Sequence, residues 1–537
     1  MNIKILVAGP GTGKTTKFIE LISQFKTPDN LLVISFTNTT VNQLRKDIKK
    51  GGIIIPEEKC TTLHRLALRI ASPGKQYILT DKELGIVMND AKRLDQEYEK
   101  ICEKLNCKDF SQVIRQAINY AKTNPALVKE RLGQIDLLLV DEFQDFNVLE
   151  QELILELAKI ASETWVAGDD DQAIYDFKHA NPQGIIDLHN THPKIEHEGK
   201  CFRCPKSVIE KSLNLIRKNS NRVDKKWLPV GNEGFINAAQ FKTKDKEVEG
   251  IISKIHEIKE SSKDASIMIL YPMSDALHTL PTKLLEEGIN FTEFAKELRP
   301  FYELKHLLSL FLMNDPFLHL RLLLELDKSK AKQFYDVVEK IENMPTTLAD
   351  LTLTFDSHKK LLELIKSKID FLSEFDSQTI KNILDLPTYS LAKEVVKNAE
   401  TAEQIIEQLN NYIEEQFELD DKGVNLMTIH KSKGLEADYV FIIGATEGVL
   451  PNVRPSLTIE GQRRLMFVAL TRCKSGVFIS TAFQWPKGEG LVHRVQKNKF
   501  KFNYRTQCWE GSTSSFLTEM DCEVKESFDQ IINPQNN

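Results

Sequence analysis

At 537 residues the chain is too long for one hydrophobic core, so three or four domains are expected. Its 41% hydrophobic and 28% charged residues describe a soluble globular protein, and no run approaches the roughly 18 uncharged apolar residues of a membrane span, which excludes a membrane protein and leads us to expect a cytoplasmic one. Eight cysteines spread over this length make no disulfide framework, and a net charge of −6 leaves nucleic acid open as a partner, because phosphate binding needs only a local basic track.

The apolar run Ile3 to Val7 reads as a buried strand, followed by Ala8-Gly9-Pro10-Gly11-Thr12-Gly13-Lys14-Thr15-Thr16 and a helix from about Thr15 carrying Phe18, Ile19, Leu21 and Ile22. Strand, glycine-rich turn, lysine, hydroxyl and helix form the context of a phosphate-binding loop. Glycines let successive backbone N–H groups turn toward phosphate oxygens, and the helix N-terminus presents positive potential to the anion. Lys14 is suited to the outer phosphates and Thr15 to Mg²⁺, so ATP and Mg²⁺ are the expected cofactors; Ala8 stands where the motif has its first glycine.

Asn30 to Phe36 is a second buried strand, leading through Thr37-Asn38-Thr39-Thr40 into a helix with Val41, Leu44 and Ile48. Strands alternating with helices point to a parallel sheet covered on both faces, an α/β fold. Thr62 and His64 precede a further helix, and about 78–130 reads as a charged helical insertion. Ile135 to Val140 ends in Asp141 and Glu142, which sets two carboxylates at the C-terminal edge of a buried strand, where α/β sheets bind ligands. Asp141 suits Mg²⁺ held through water, and Glu142 suits the attacking water.

Gly168-Asp169-Asp170-Asp171-Gln172 follows another strand. Three adjacent aspartates need a cation, arginines or capping duty, and Gln172 is placed to sense a terminal phosphate. Beyond Tyr175, Phe177 and Lys178 set an aromatic beside a cation, a pairing able to stack a base and hold its phosphate.

Together with Cys201-Phe202-Arg203-Cys204-Pro205, Ser266 to Pro272, Val424 to Glu436, Gly444 to Pro451, Gln462 to Arg472 and Ser515-Phe516-Leu517, these elements stand in the order of a known family. The chain resembles the UvrD, Rep and PcrA group of superfamily 1 DNA helicases. The resemblance implies two RecA-like P-loop domains, each with a helical insertion: 1–200 for the first, 201–314 with 421–520 for the second, and 315–420 for the second insertion. Residues 521–537 are expected to be a disordered tail.

The resemblance further implies that Arg203 and Arg472 reach the γ-phosphate, that Glu436 holds the ribose, and that Arg45 lies near the terminal phosphate. Phe36, Thr37, Asn38, His64, Tyr175, Phe177, Lys178, Thr428 and His430 match positions lining a single-strand track. The implied activity is ATP-dependent 3′ to 5′ movement on single-stranded DNA and unwinding at single-strand/duplex junctions, with protein partners in repair or replication and no membrane partner. A motor that displaces bound proteins without unwinding fits the same residues. Lys499 to Arg505 alternates basic and aromatic residues at strand period, as either an edge strand or a nucleic-acid contact.

Overall fold

The computed structural model describes residues 2–529 except 24–27, 73, 75, 294–298, 342–343, 370–391, 394–395, 397–398, 400, 415–418, 456 and 488–494. The chain divides into two compact units, one of Met1–Leu66, Ala121–Ala295 and Phe417–Asn537, the other of Ala67–Tyr120 and Lys296–Gln416.

The first unit holds two parallel sheets. In one, β1 (Ile3–Val7), β2 (Leu31–Ser35), β3 (Cys60–Thr62), β4 (Leu137–Val140) and β5 (Glu163–Gly168) are ordered β1-β5-β4-β2-β3, every pair parallel. Their sequences are nearly continuous apolar runs because helices cover both faces. The register aligns Val7 with Gly168 and Val140 with both Ile34 and Val166. The residues after β1, β2, β4 and β5 therefore leave the sheet at one edge, which brings the glycine turn, Phe36 to Asn38, Asp141-Glu142 and Asp169 to Gln172 together. Helix α1 (Lys14–Ser23) buries Phe18 and Ile22. Helix α2 (Asn38–Lys50) buries Val41, Leu44 and Ile48 and is capped by Thr37, whose hydroxyl accepts from the Thr40 N–H at 3.2 Å.

The second sheet runs β8 (Phe291–Glu293), β9 (Val424–Thr428), β7 (Ile267–Tyr271), β10 (Ala437–Ile442), β11 (Cys473–Pro486), β6 (Phe235–Thr243) and β14 (Val524–Lys525), all parallel. The hairpin of β12 (Lys501–Asn503) and β13 (Cys508–Glu510) joins β11 antiparallel. Strand β7 shows the two-sided burial: Met268 and Leu270 pack on one face, Ile267, Ile269 and Tyr271 on the other. This α/β architecture of parallel sheets is the expected class.

Two differences from expectation have physical causes. Residues 521–529 are not a disordered tail: Val524 pairs with Ala238, and Phe528 packs against Phe241, Phe441 and Phe478. A single aromatic anchors an otherwise polar segment. The two helical insertions also do not form separate bodies. Leu79, Val87, Ile101 and Cys107 of the first share one core with Leu304, Leu308, Phe317, Phe334 and Leu409 of the second, and residues 121–132 belong to the sheet-bearing unit. Short amphipathic segments of this size lack the apolar surface to close a core alone. Arg321 seals the arrangement with a bidentate pair to Asp90, buried with Tyr335, whose hydroxyl donates to the same carboxylate at 2.9 Å.

Candidate functional site

The turn after β1 needs positive φ at Gly11 (+68°) and Gly13 (+88°), where a side chain would be strained. At Gly11 a Cβ would also stand 2.6 Å from Cβ of Arg203. Ala8 is tolerated at the first glycine position because it still belongs to the sheet edge, buried, with its N–H donating to Gly168 O at 3.2 Å. Thr12 donates to Gly9 O at 2.8 Å, and Lys14 to Ala8 O at 3.0 Å, which fixes the ammonium beneath the turn. The segment between the two sheets grips the same turn. The Phe202 N–H donates to Gly11 O at 2.9 Å, and the Cys201 thiol and Trp227 Nε1–H both donate to Pro10 O.

A cavity of about 820 Å³ opens over the turn. Pro10 to Thr16, Asp141, Glu142 and Gln172 line it from the edge of the first sheet, Glu436 and Arg472 from loops of the second, and Phe202 and Arg203 from the segment between the two sheets. Burial pushes the Asp141 carboxyl up to about 7, and the neighbouring Glu142 charge adds to the effect. Burial also raises Glu142, but the Lys433 and Lys14 ammoniums and a hydrogen bond from Gln144 outweigh it and hold this carboxylate below its ordinary range. Glu142 sits in left-handed backbone, φ 56°, which turns its side chain out of the strand end toward the cavity.

Gln172 joins the lobes. Its Nε2 donates to Asp169 at 2.7 Å, and its Oε1 accepts from Arg472 Nη2 at 3.0 Å. Arg472 is only 1% exposed and is further fixed by Val468 O and the Thr471 hydroxyl; burial lowers its pKa to about 10, so it stays charged at neutral pH. Arg203 pairs with Glu436 at 2.6 Å, and Lys474 holds the other Glu436 oxygen at 2.9 Å. The two residues assigned separately to γ-phosphate and ribose thus hold each other here.

The three aspartates are neutralised by protein cations. Lys225 Nζ lies 2.7 Å from Asp169, Asp170 and Asp171, and Arg222 makes a bidentate pair with Asp171, while Asp169 caps the turn through the Asp171 N–H. These are the only three clustered ligand side chains of metal-binding geometry among the described residues. A lysine already fills that geometry.

Arg45 lies away from the cavity, and its expected place near the terminal phosphate is corrected. It donates to Cys60 O and pairs with Glu57, and Thr40, Gln43 and Leu44 of the same helix face the cavity instead. Of the track residues, Phe36, Tyr175 and His430 come together, with ring centroids 5.1 Å and 6.2 Å apart in that order. Burial lowers His430 to about 4 and keeps it neutral. Thr37 works as the cap of α2, Asn38 opens that helix, and Thr428 ends β9 half-buried. His64 is 39% exposed and pairs with Glu150 at 3.0 Å. Lys178 is exposed, and the Phe177 side chain lies outside the described residues.

Sequence reasoning gave no role to Trp227, Lys225, Lys433 or Lys474, and none to Phe202, whose ring is 69% exposed at the cavity. An aromatic beside an arginine in an otherwise polar segment was the available signal for Phe202.

Two parallel-sheet lobes that close a lysine-bearing glycine turn, paired carboxylates and two arginines around one cavity define a two-lobed P-loop nucleotide-dependent enzyme. Residues 2–75 and 74–193 match the UvrD/REP helicase N-terminal domain, and 310–484 match the UvrD-like helicase C-terminal domain, together more than half of the chain. The chain belongs to the UvrD-like helicase family, and its two lobes are RecA-like; it is an ATP-dependent helicase. Similar proteins include the ATP-dependent DNA helicase Rep of Buchnera aphidicola subsp. Acyrthosiphon pisum (27% identical, covering 89% of this chain and 92% of the relative). The ATP-dependent DNA helicases PcrA of Leuconostoc citreum (22%, 92% and 81%) and Bacillus subtilis (22%, 89% and 80%) are also similar.

Proposed function

We propose that this chain hydrolyses ATP to move 3′ to 5′ along single-stranded DNA and separates duplex at single-strand/duplex junctions during repair, replication or recombination. The observation that carries this reading is that Lys14 and Glu142, which follow strands of the first sheet, line one cavity together with Arg203 and with Arg472, which directly precedes β11 of the second sheet. A triphosphate held by both sides draws the lobes together, and loss of the γ-phosphate releases them. Lys14 and the turn bind the phosphates, Glu142 orients the attacking water, and the two guanidiniums stabilise charge developing on the transferred group. Gln172, bonded to Arg472, reports the terminal phosphate to the loop that leads to Tyr175.

Thr15 and Asp141 suit Mg²⁺: both line the cavity, and a carboxyl that burial raises to about 7 is one that a nearby cation returns to its charged form. When bound, the ion neutralises phosphate charge. Phe36, Tyr175 and His430 offer faces for sequence-tolerant stacking, worth about 1 to 3 kcal/mol per base. Among the described residues no helix is long and apolar enough to cross a membrane.

The test is the ATPase rate with and without single-stranded oligonucleotide, for wild type and Lys14→Ala. Stimulation of about tenfold or more, abolished by the substitution, is expected. A wild-type rate indifferent to the strand overturns the motor reading. Release of streptavidin from 3′- or 5′-biotinylated strands, beside a strand-displacement assay, decides polarity and separates unwinding from protein displacement.

A further inference from the structure

Lys433 belongs to the second lobe, in the loop between β9 and β10, yet its ammonium is planted in the first. It pairs with Asp145, accepts no water-exposed position at 4% side-chain exposure, donates to the Gln172 carbonyl at 2.8 Å, stands 3.4 Å from Glu142, and lies over the Tyr175 ring 5.6 Å from its centroid. Desolvating an ammonium costs several kcal/mol, so it stays buried only where several partners neutralise it. Here those partners belong to three different working parts: the hydrolytic carboxylate, the loop whose glutamine holds Arg472, and the aromatic cluster of Phe36, Tyr175 and His430.

Two carboxylates flank this ammonium. Asp145 anchors it through Oδ2 while its Oδ1 is buried without a hydrogen-bond partner. Glu142 is otherwise held by Gln144, which in turn accepts from the Asp169 N–H at 3.0 Å and so belongs to the sheet edge. Among the described residues that hold Glu142, Lys433 also lies over the Tyr175 ring.

We propose that Lys433 is a positioning residue that transmits strand occupancy at Tyr175 to the hydrolytic carboxylate of Glu142. This rests on the motor reading given above. A base laid against Tyr175 moves the ring, and the ammonium over it follows, pivoting on Asp145. The 3.4 Å approach to Glu142 lengthens, and the carboxylate is released to turn toward the attacking water. Because Lys433 and Glu436 share one loop, the same displacement reaches the partner of Arg203.

The test compares steady-state ATPase of wild type, Lys433→Met and Lys433→Arg across single-strand concentrations. For Lys433→Met, the ratio of kcat with and without saturating strand is expected to fall about tenfold, while KM for ATP and the strand concentration at half-effect change less than about threefold. Lys433→Arg, which keeps the charge, is expected to restore most of the ratio. The methionine variant leaves Asp145 buried and unpaired, so Lys433→Met combined with Asp145→Leu, which removes both charges, guards against misfolding and should show the same fall. A wild-type ratio in either methionine variant overturns the proposal, as does a fall shared equally by KM and strand affinity, the mark of a merely structural lysine. Absence of stimulation in the wild type would instead overturn the motor reading itself.

Discussion

Arg472 and Gln172, 300 residues apart in the chain, meet side chain to side chain: the guanidinium donates to the amide oxygen at 3.0 Å inside the cavity wall. The contact joins an arginine fixed on the second lobe to a glutamine fixed on the first by Asp169.

If that contact works in hydrolysis, its two ends act as a unit. Arg472→Lys keeps the charge but loses the planar fork, and kcat is expected to drop by about 10³-fold. Gln172→Ala is expected to cost on the order of 10²-fold in kcat. The double variant should be little worse than the arginine variant alone, because both remove one interaction. Multiplying effects in single-turnover assays would show that the two side chains act separately.

Lys225 is the cation that makes three adjacent aspartates tolerable. Lys225→Met leaves buried carboxylates with Arg222 alone and is expected to cost about 3 to 5 kcal/mol of stability. Thermal or urea unfolding of the variant checks this, and a loss below about 1 kcal/mol, typical of exposed pairs, would contradict it. Divalent cations are expected to stabilise the variant more than the wild type, since the vacated carboxylates then form an acidic cluster.

In the helical unit, burial acts to raise the Glu83 carboxyl, but hydrogen bonding from His306, the Lys305 charge and the Thr80 N–H outweigh it and bring it from its ordinary 4.5 to about 2. His306 is itself lowered by burial and by the neighbouring Lys305 charge. The carboxylate therefore supports this unit fully above about pH 4.5, and its contribution, at most about 3 kcal/mol, is lost as pH falls from there toward 2. Glu83→Gln should flatten that acid limb in circular-dichroism melts between pH 5 and pH 2. An unchanged limb would assign acid unfolding to other groups.

Tyr504 stands 81% exposed beyond β12, its ring 5.1 Å from Phe502, which packs on Trp509 and lies under the Lys487 ammonium. A hairpin that displays an exposed aromatic near the Lys487 ammonium suits contact with an unpaired base. Tyr504→Ala is expected to reduce strand displacement by about tenfold with single-strand-stimulated ATPase retained, because truncating one stacking contact removes about 1 to 3 kcal/mol. Equal displacement by both proteins would leave the hairpin as an ordinary sheet edge.

How far the sequence could be read depended on the distance between partners. Lys14, Asp141 and Glu142 were legible because each sits at a strand end within a few residues of its motif, and the parallel register then carries them to one edge. Arg203 and Arg472 were legible only through family resemblance, since an arginine on a loop carries no local sign of what it faces. Lys433, Lys225 and Trp227 were out of reach for the same reason: their partners lie 54 to 291 residues away. Arg45 misled because a helix turns neighbouring residues to different sides. Thr40, Gln43 and Leu44 face the cavity, and Arg45, one position further, faces Cys60 O. Phe528 was hidden by the polar residues around it.

The helices drawn from 67–120 and 296–416 share Leu79, Val87, Leu304 and Leu308 in one interior, with Asp90 and Arg321 locked across it. Neither insertion can then be trimmed or exchanged by itself, for excising one would strip the other of its partner surface and strand a buried ion. Grafts between relatives must move both segments at once, and variation in the first is constrained by what has changed two hundred residues later.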